Sequence, residues 1–249
     1  MQETSYDAFI DIVHRRRSVR NVKPDPIPDE YVTKILEAGR WGMSGANSQP
    51  WEFIVVKNQE TKDQIGATWN QIREDLVAPE MTRVLELRHP QAVSHTYAVP
   101  PFTHAPVLIV LCGDKRAYQA SIWGGILLCG EGSMEAGYYK NMANATMLMH
   151  LAAASLGLGS AWVTITRPHE FLLKSLLEVP AVLDIHCMVA VGYPAYETPP
   201  GYRRELSEIV HYEKYDQAKF RTGEDIIEWL RVSRAGINTA DAKAYGGKK

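Results

Sequence analysis

Two short polar stretches organise this chain: RRRSVR at residues 15–20 and SGANSQP at residues 44–50. The second runs directly into WEFIVV at residues 51–56, an apolar segment rich in β-branched and aromatic residues that predicts a strand. Before the first stretch, apolar residues recur at helical spacing over residues 5–14, so the basic run is predicted to end a helix. Both stretches therefore lie where regular structure gives way to loop.

The basic run supports two interpretations. If it leaves its helix as extended chain, Arg16, Ser18 and Arg20 point to one side and Arg17 to the other, because side chains of extended backbone alternate. Two guanidinium groups and a hydroxyl on one side suit a ligand that carries a phosphate and carbonyl groups. The alternative is a solvated basic helix end, whose cations complement the helix dipole. The arginines alone favour this alternative, because charge runs usually lie in water.

Composition narrows the classes of protein to consider. Of the 249 residues, 45% are hydrophobic and 22% are charged, and the net charge is -2. The length suits one domain with a sizeable core or two small domains. The composition is typical of a globular protein, and the net charge argues against a general nucleic-acid binder, which needs a broad basic surface. The three distant cysteines indicate neither a disulfide framework nor a zinc site. We find no signal segment and no stretch able to span a bilayer, so we expect a cytoplasmic protein without membrane contact.

Strand and helix signals alternate irregularly along the chain, which favours an α+β fold over regular βαβ units. The segment at residues 138–156 is apolar nearly all round, which predicts a core helix or, alternatively, a subunit interface. The predicted strands span residues 51–57, 107–112, 160–164 and 185–191. The predicted helices span residues 5–14, 29–41, 61–88, 117–128, 138–156, 168–177 and 224–232. Between these elements we expect a break at residues 131–137 and a mobile loop or lid at residues 89–106.

Several enzyme signatures are missing from the sequence, including the phosphate loop GxxxxGK[ST], HExxH, CxxC and GxSxG. The GLG segment at residues 157–159 lacks the third glycine of a dinucleotide fingerprint and follows a predicted helix. His150 lies in an apolar helical segment, where a hydrogen-bonded buried histidine is a better interpretation than a metal ligand. Asn47 and Gln49 can equally match the hydrogen-bonding edge of a ligand or satisfy their own turn.

Five motifs occur in an informative order: RRSxR, SGANSQPW, Gly157-Leu158-Gly159, Val191-Gly192-Tyr193-Pro194, and Arg203-Arg204 before Glu208-Ile209-Val210. In this order they resemble the landmarks of the nitroreductase family of FMN-dependent flavoproteins, over about residues 9–210. The resemblance implies a small, mixed and mainly antiparallel sheet flanked by helices, made as an intertwined homodimer with two flavin sites at the subunit interface. The chain has no linker long enough to divide it, so we expect one domain over residues 1–234, with variable lid or substrate regions at 69–104 and 118–139. The Gly, Ala and Lys content of residues 235–249 predicts a flexible tail.

The resemblance gives the arginines separate roles toward FMN. Arg16 and Ser18, together with Arg203, would bind the phosphate and ribityl region. Arg17 or Arg20 would face the edge of the flavin that becomes negative on reduction. Two residues depart from the family pattern. Met43 stands where many members have proline, and Glu205 follows Arg204 where proline is frequent, which leaves the choice between Arg203 and Arg204 open.

The polar turn and the strand after Gly159 would complete the flavin site. Asn47 would contact the pyrimidine edge, and the main chain at the start of the turn would come from the second subunit. A backbone amide near Val163, or the hydroxyl of Thr164, would donate to flavin N5. The predicted cofactor-binding set is Arg16, Arg17, Ser18, Arg20, Ser44, Gly45, Asn47, Gln49, Val163, Thr164, Arg203 and Arg204.

The activity implied by the resemblance is hydride transfer from NADH or NADPH, through flavin N5, to an electron-poor acceptor such as a nitroaromatic compound or a quinone, with ping-pong kinetics. Reductive dehalogenation and flavin cleavage are alternatives within the same family. Outside it, the alternatives are a non-catalytic module that binds a phosphorylated ligand, and a membrane or nucleic-acid contact through the basic run. Candidate residues of the substrate pocket wall are Trp69, Tyr97, Phe102, Trp123 and Tyr138.

Overall fold

The computed structural model describes residues 4–88, 99–231 and 233. The chain divides into two compact units, of which one comprises Met1–Arg73 with Ala98–Glu197 and the other comprises Glu74–Tyr97 with Thr198–Lys249. The single domain predicted for residues 1–234 stays a prediction, and the predicted tail at 235–249 lies outside the described residues.

A four-stranded antiparallel sheet forms the centre of the first unit. Its strands are β1 (Trp51–Val56), β2 (Val107–Gly113), β3 (Gly159–Thr164) and β4 (Asp184–Gly192), in the order β1-β2-β4-β3. An isolated parallel bridge between Ser18 and Ser160 gives the sheet its mixed character. All four strands lie where the apolar runs predicted them, and the α+β class is confirmed.

Helices cover both faces of the sheet. The first unit contains α1 (Ser5–Arg15) and α2 (Asp29–Arg40), and later in the chain α4 (Lys115–Ser121), α5 (Gly125–Ser155) and α6 (Arg167–Leu176). Helix α3 (Gln59–Met81) begins in the first unit, whereas α7 (Leu206–Ile209) and α8 (223–231) belong to the second unit. No helix within the described ranges is long and apolar enough to cross a membrane.

The central strands are buried on both sides, which explains why their sequences are continuously apolar. On one face, Ile109 and Val189 pack with Met142 and Met149 of α5. On the other face, the core contains Val110 and Met188 together with residues of α3 and α6. β1 and β3 are left as the two edges of the sheet.

Three predicted helix boundaries were wrong, two of them at α5 and one at the end of α3. The break expected at 131–137 was wrong, because the chain is helical without interruption from Gly125 to Ser155. The helix expected at 117–128 is instead interrupted around Gly124, which has a left-handed φ of 72°. The helix expected at 61–88 ends at Met81. The glycines of α5 were mistaken for breakers because their contacts are not visible in local sequence.

The interpretation of residues 138–156 as a core helix is confirmed within the chain. α5 packs closely on α2, where a Cβ added to Gly39 would lie 2.8 Å from the side chain of Met149, and one added to Gly42 would lie 2.9 Å from the Cα of Ala145. Such separations require glycine, so the two helices approach each other at nearly backbone contact. This approach holds the start of the polar turn against α5.

Candidate functional site

The basic run ends α1, as predicted, and continues as extended chain, the first of its two interpretations. Arg16 closes the helix by donating its N–H to the carbonyl of Ile12 at 2.9 Å, and its ψ of 125° turns the backbone outward. Two residues later Ser18 forms the parallel bridge to Ser160, and the N–H of Val19 donates to the carbonyl of Ser160 at 2.9 Å. Val19 is buried between exposed Ser18 and Arg20, so side chains alternate over residues 18–20, whereas Arg16 and Arg17 are both half-buried.

The four arginines and serine of the run do not share one environment. The Nη1 group of Arg17 turns back and donates to the carbonyl of His14 and, at 2.9 Å, to that of Arg16, so Arg17 serves the carboxyl end of α1. Arg20 is exposed and makes no hydrogen bond or ion pair that the structure describes. The structure therefore supports the helix-end interpretation for Arg17 and the outward-facing interpretation for Ser18 and Arg20.

Ser160 seats the run on β3. Its Oγ lies 2.7 Å from Nδ1 of His150, which is buried on α5. Burial, and secondarily the charge of Arg16, lowers the pKa of His150 to about 4, so the imidazole is neutral at pH 7. A Cβ added to Gly159 would lie 2.7 Å from Val19. The prediction that His150 is a hydrogen-bonded core residue is confirmed, and Ser160 is a site residue that sequence analysis missed.

The polar turn has an unusual backbone. Ala46, Asn47 and Gln49 have positive φ angles of 50°, 53° and 42°, a left-handed conformation that residues other than glycine seldom adopt. Within the turn, the N–H of Gln49 donates to Oγ of Ser44 at 3.1 Å, and the Nε2 of Gln49 reaches the carbonyl of Asn47 at 3.4 Å. Asn47 itself is exposed. Such strain is typical of ligand-binding loops.

Side chains outside the turn hold it in place. Oδ1 of Asn141 accepts a hydrogen bond from the N–H of Gly45 at 3.1 Å, and Nδ2 of Asn144 donates to the carbonyl of Met43 at 2.9 Å. The ring of Tyr118 lies so close to Gly45 that an added Cβ would be 3.2 Å from it. Sequence analysis missed these three residues. The signal available for the asparagines was the interruption of an apolar helix by two amides.

Within one chain, the run and the turn lie at diagonally opposite corners of the sheet. The turn leads into edge strand β1, whereas the run pairs with edge strand β3, and neighbouring strands about 4.8 Å apart place these edges about 14 Å from each other. Trp51 pairs with Gly113 at one end of the sheet, whereas Ser160 pairs with Val191 toward the other end. A single copy therefore does not bring the two stretches together.

Val163 and Thr164 lie on the same strand as the anchor of the basic run. Thr164 is exposed and pairs with Cys187, and half-buried Val163 pairs with Met188. The four-residue interval from Ser160 to Thr164 is about 13 Å of strand. β3 thus carries the run near one end and the predicted N5 contact at the other.

The arginine pair lies in the second unit. Nη2 of Arg204 donates to the carbonyl of Glu208 at 3.0 Å, so Arg204 is engaged at the end of α7. Arg203 is exposed and donates to the carbonyl of its neighbour Tyr202 at 2.8 Å. Of the two guanidinium groups, that of Arg203 is the less engaged by its surroundings.

The predicted pocket-wall residues do not form one cluster: Trp69 and Phe102 belong to the core on one face of the sheet and Tyr138 to the core on the other. Trp69 stacks on His169 with a ring-centroid distance of 3.7 Å and meets the edge of buried Phe102 at 5.3 Å, so both aromatic residues pack in the core. Tyr138 is also buried, whereas Trp123 is 89% exposed. Tyr97 lies outside the described residues. Among the described residues, no cluster of histidine, cysteine and carboxylate side chains could hold a metal ion.

A small antiparallel sheet with helices on both faces and an arginine and serine run on one edge defines an α+β protein with a candidate anion-binding edge. The sequence profile of the nitroreductase family matches residues 13–193. The chain belongs to the nitroreductase family.

Individual relatives differ in the activities for which they are named. The chain is 28% identical to an iodotyrosine deiodinase from Daphnia pulex over 83% of this chain and 67% of that protein. It is 27% identical to an NADH dehydrogenase from Thermus thermophilus over 79% of this chain and 91% of that protein. One similar solved structure is that of a Desulfovibrio desulfuricans protein, assigned as a nitroreductase and solved in complex with FMN. It is 25% identical to this chain, with a TM-score of 0.55, and the match covers 84% of this chain and 98% of that one.

Proposed function

We propose that two copies of this chain form an FMN-dependent oxidoreductase with shared flavin sites. The observation that carries the proposal is the separation of two chemically complementary stretches to opposite edges of one sheet. One edge offers cationic and hydroxyl groups, and the other offers exposed amides on a strained turn. An arrangement in which the turn of one copy meets the β3 edge of its partner unites them, and it makes the homodimer part of the site.

The residues present fit FMN. Arg16 and Ser18 suit the phosphate and ribityl chain because a dianionic phosphate is best matched by guanidinium and hydroxyl donors. Of Arg203 and Arg204, Arg203 has the less engaged guanidinium group and is the candidate for the same task. Asn47 and Gln49 suit the pyrimidine edge, which presents both hydrogen-bond donors and acceptors. The exposed position of Asn47, on a backbone kept in a rare conformation, supports this assignment.

Bound FMN would supply the redox chemistry, which is hydride transfer from NADH or NADPH to a second substrate, and the kinetics would be ping-pong. The chain itself would bind and orient FMN and polarise its ring system. Arg20 is the stronger candidate for stabilising negative charge at the flavin edge, because Arg17 already donates to the carbonyls that end α1. Thr164 is the proposed hydrogen-bond donor at N5, possible because its side chain is exposed at the end of β3.

The proposed acceptor is an electron-poor compound such as a nitroaromatic compound or a quinone. Reductive deiodination is the second candidate, favoured by the 28% identity to a protein named iodotyrosine deiodinase. Both reactions consume NAD(P)H as the source of two electrons, but their products differ: the first yields a reduced nitro compound or quinone, whereas the second replaces the halogen of a halogenated aromatic compound with hydrogen and releases halide. Assaying both acceptor types with the same flavin-loaded protein distinguishes them.

Purified protein tests the proposal directly. We expect a yellow protein with a flavin absorbance spectrum, or one that becomes so after incubation with FMN, and a mass in solution of two chains. Bleaching of this spectrum by NADH or NADPH without acceptor, and its recovery on adding acceptor, would support a redox role. A colourless monomer that cannot be reconstituted with FMN would favour the alternative of a non-catalytic module that binds a phosphorylated ligand.

A further inference from the structure

Two asparagines on one face of α5 form hydrogen bonds with the main chain at the start of the turn. Asn141 accepts the N–H of Gly45, and Asn144 donates to the carbonyl of Met43, at 3.1 Å and 2.9 Å. Residues three apart on a helix are neighbours on its surface, so the amides act on the turn side by side. Their two targets are separated by a single residue, and one amide acts as acceptor while the other acts as donor. This fixes both the position and the direction of the backbone.

The turn needs anchoring of this kind. Left-handed backbone at Ala46, Asn47 and Gln49 is unfavourable and persists only where the surroundings impose it. The bonds within the turn close it on itself, but they do not attach it to the rest of the protein. The described side-chain hydrogen bonds that attach residues 43–45 to a distant element come from Asn141 and Asn144.

Asn141 is a costly residue in purely structural terms. It is only 6% exposed, and its Nδ2 group is buried without a hydrogen-bond partner among the described residues. A buried donor of this kind lowers stability, and an apolar side chain of similar volume would avoid the cost. The bond to Gly45 is the described contact that an asparagine makes here and a leucine could not.

We infer that Asn141 and Asn144 are positioning residues, which hold the turn of residues 44–49 in the geometry that contacts FMN and thereby set the affinity for the cofactor and its midpoint potential. They act through the main chain of Met43 and Gly45 and do not touch the cofactor. This inference rests on the proposed function. Because the two asparagines are inferred to pre-organise the turn for FMN, replacing them should weaken FMN binding more than it changes the stability of the protein.

Asn141→Leu tests that difference. The substitution removes the unpartnered donor but also leaves the Gly45 N–H without its acceptor, and because these two effects oppose each other we expect little change in melting temperature. The FMN Kd should rise about tenfold, near the upper end of the effect of one hydrogen bond. We also expect the midpoint potential of bound FMN to move. Asn144→Ala, at a less buried position, should raise the Kd in the same direction, and the double variant should show less than the sum of both effects because the two bonds hold one segment.

Asn58→Ala is the matched control. Asn58 also anchors backbone, since its Oδ1 accepts the N–H of Thr61 at 2.9 Å near the start of α3. This substitution should lower the melting temperature and leave the FMN Kd and midpoint potential unchanged. If wild-type protein binds FMN while Asn141→Leu and Asn144→Ala retain its Kd and potential, the inference is overturned and the proposed function stands. If wild-type protein does not bind FMN at all, the proposed function fails and the inference falls with it.

Discussion

Adjacent arginines in this chain face different surroundings because the helix ends between them. Arg15 lies in the last turn of α1 and pairs with Asp11 on the exposed helix surface at 2.6 Å. Arg17 donates to carbonyls at the helix end. Arg16 lies at the transition, close enough to His150 for its charge to lower the pKa of that histidine. The change of backbone conformation at the end of α1 thus places three consecutive arginines in different environments.

Replacing Arg16 tests its assignment to the phosphate. We expect Arg16→Ala to raise the FMN Kd about 10- to 100-fold, because a hydrogen bond between charged groups contributes about 1.5–3 kcal/mol. Arg15→Ala is the control: it removes the same charge from the neighbouring position but loses only an exposed ion pair. Isothermal titration with FMN measures both. Equal Kd values for the two variants would mean that total charge, and not the position of Arg16, governs binding.

The sequence reveals these residues unequally, and the reason is the range of the contacts. The extended course of residues 16–20 was predictable because alternation is a local property. The anchoring of the turn by Asn141 and Asn144 was not predictable, because Gly45 and Asn141 are 96 positions apart, and Met43 and Asn144 are 101 apart. Only the presence of two amides in an apolar helix hinted at it. Pairing across such distances is not encoded in any local pattern.

At the scale of elements, the strands were predictable and three helix boundaries were not. Continuous apolar runs identified β2 and β4 because both faces of these strands are buried. The supposed break at 131–137 failed because glycine has two opposite meanings in a helix. It weakens the helix, or it makes room for a neighbour. In α5, Gly132 faces open space, whereas an added Cβ at Gly137 would lie 2.1 Å from the hydroxyl of Tyr118.

These two glycines should therefore respond in opposite ways to alanine. We expect Gly132→Ala to stabilise the protein by about 1 kcal/mol, the propensity gain in a helix interior. Gly137→Ala should destabilise it by about 1–3 kcal/mol, because the methyl group overlaps Tyr118. Adding Tyr118→Phe to Gly137→Ala should restore part of the lost stability, because it removes the hydroxyl oxygen, which is the closest atom to the added methyl group. The recovery should be incomplete because the ring carbon that carries the hydroxyl would still lie 2.9 Å from that methyl group. Urea unfolding measures all three, and stabilisation by Gly137→Ala would contradict the packing argument.

At the scale of the whole molecule, the sheet order carries the strongest functional implication. The strand order β1-β2-β4-β3 places the two polar stretches on opposite edges, a fact that the sequence could not give because local periodicity does not determine strand order. The family resemblance did predict that the turn comes from the second subunit. A site built from two copies has a property that a site within one chain lacks: damage to its two halves can be complemented.

Mixing two inactive variants tests this property. One chain carries Arg16→Ala and keeps its turn, and the other carries Asn47→Ala with Gln49→Ala and keeps its basic run. Each variant alone should retain little FMN at a concentration between the Kd values of wild type and variants. After unfolding and refolding together, random pairing gives dimers in which about a quarter of all sites are intact, because a mixed dimer combines one normal run with one normal turn. Flavin absorbance per chain after gel filtration measures the recovery of FMN binding. If the refolded mixture binds no more FMN than the separate variants do, the basic run and the turn serve separate sites.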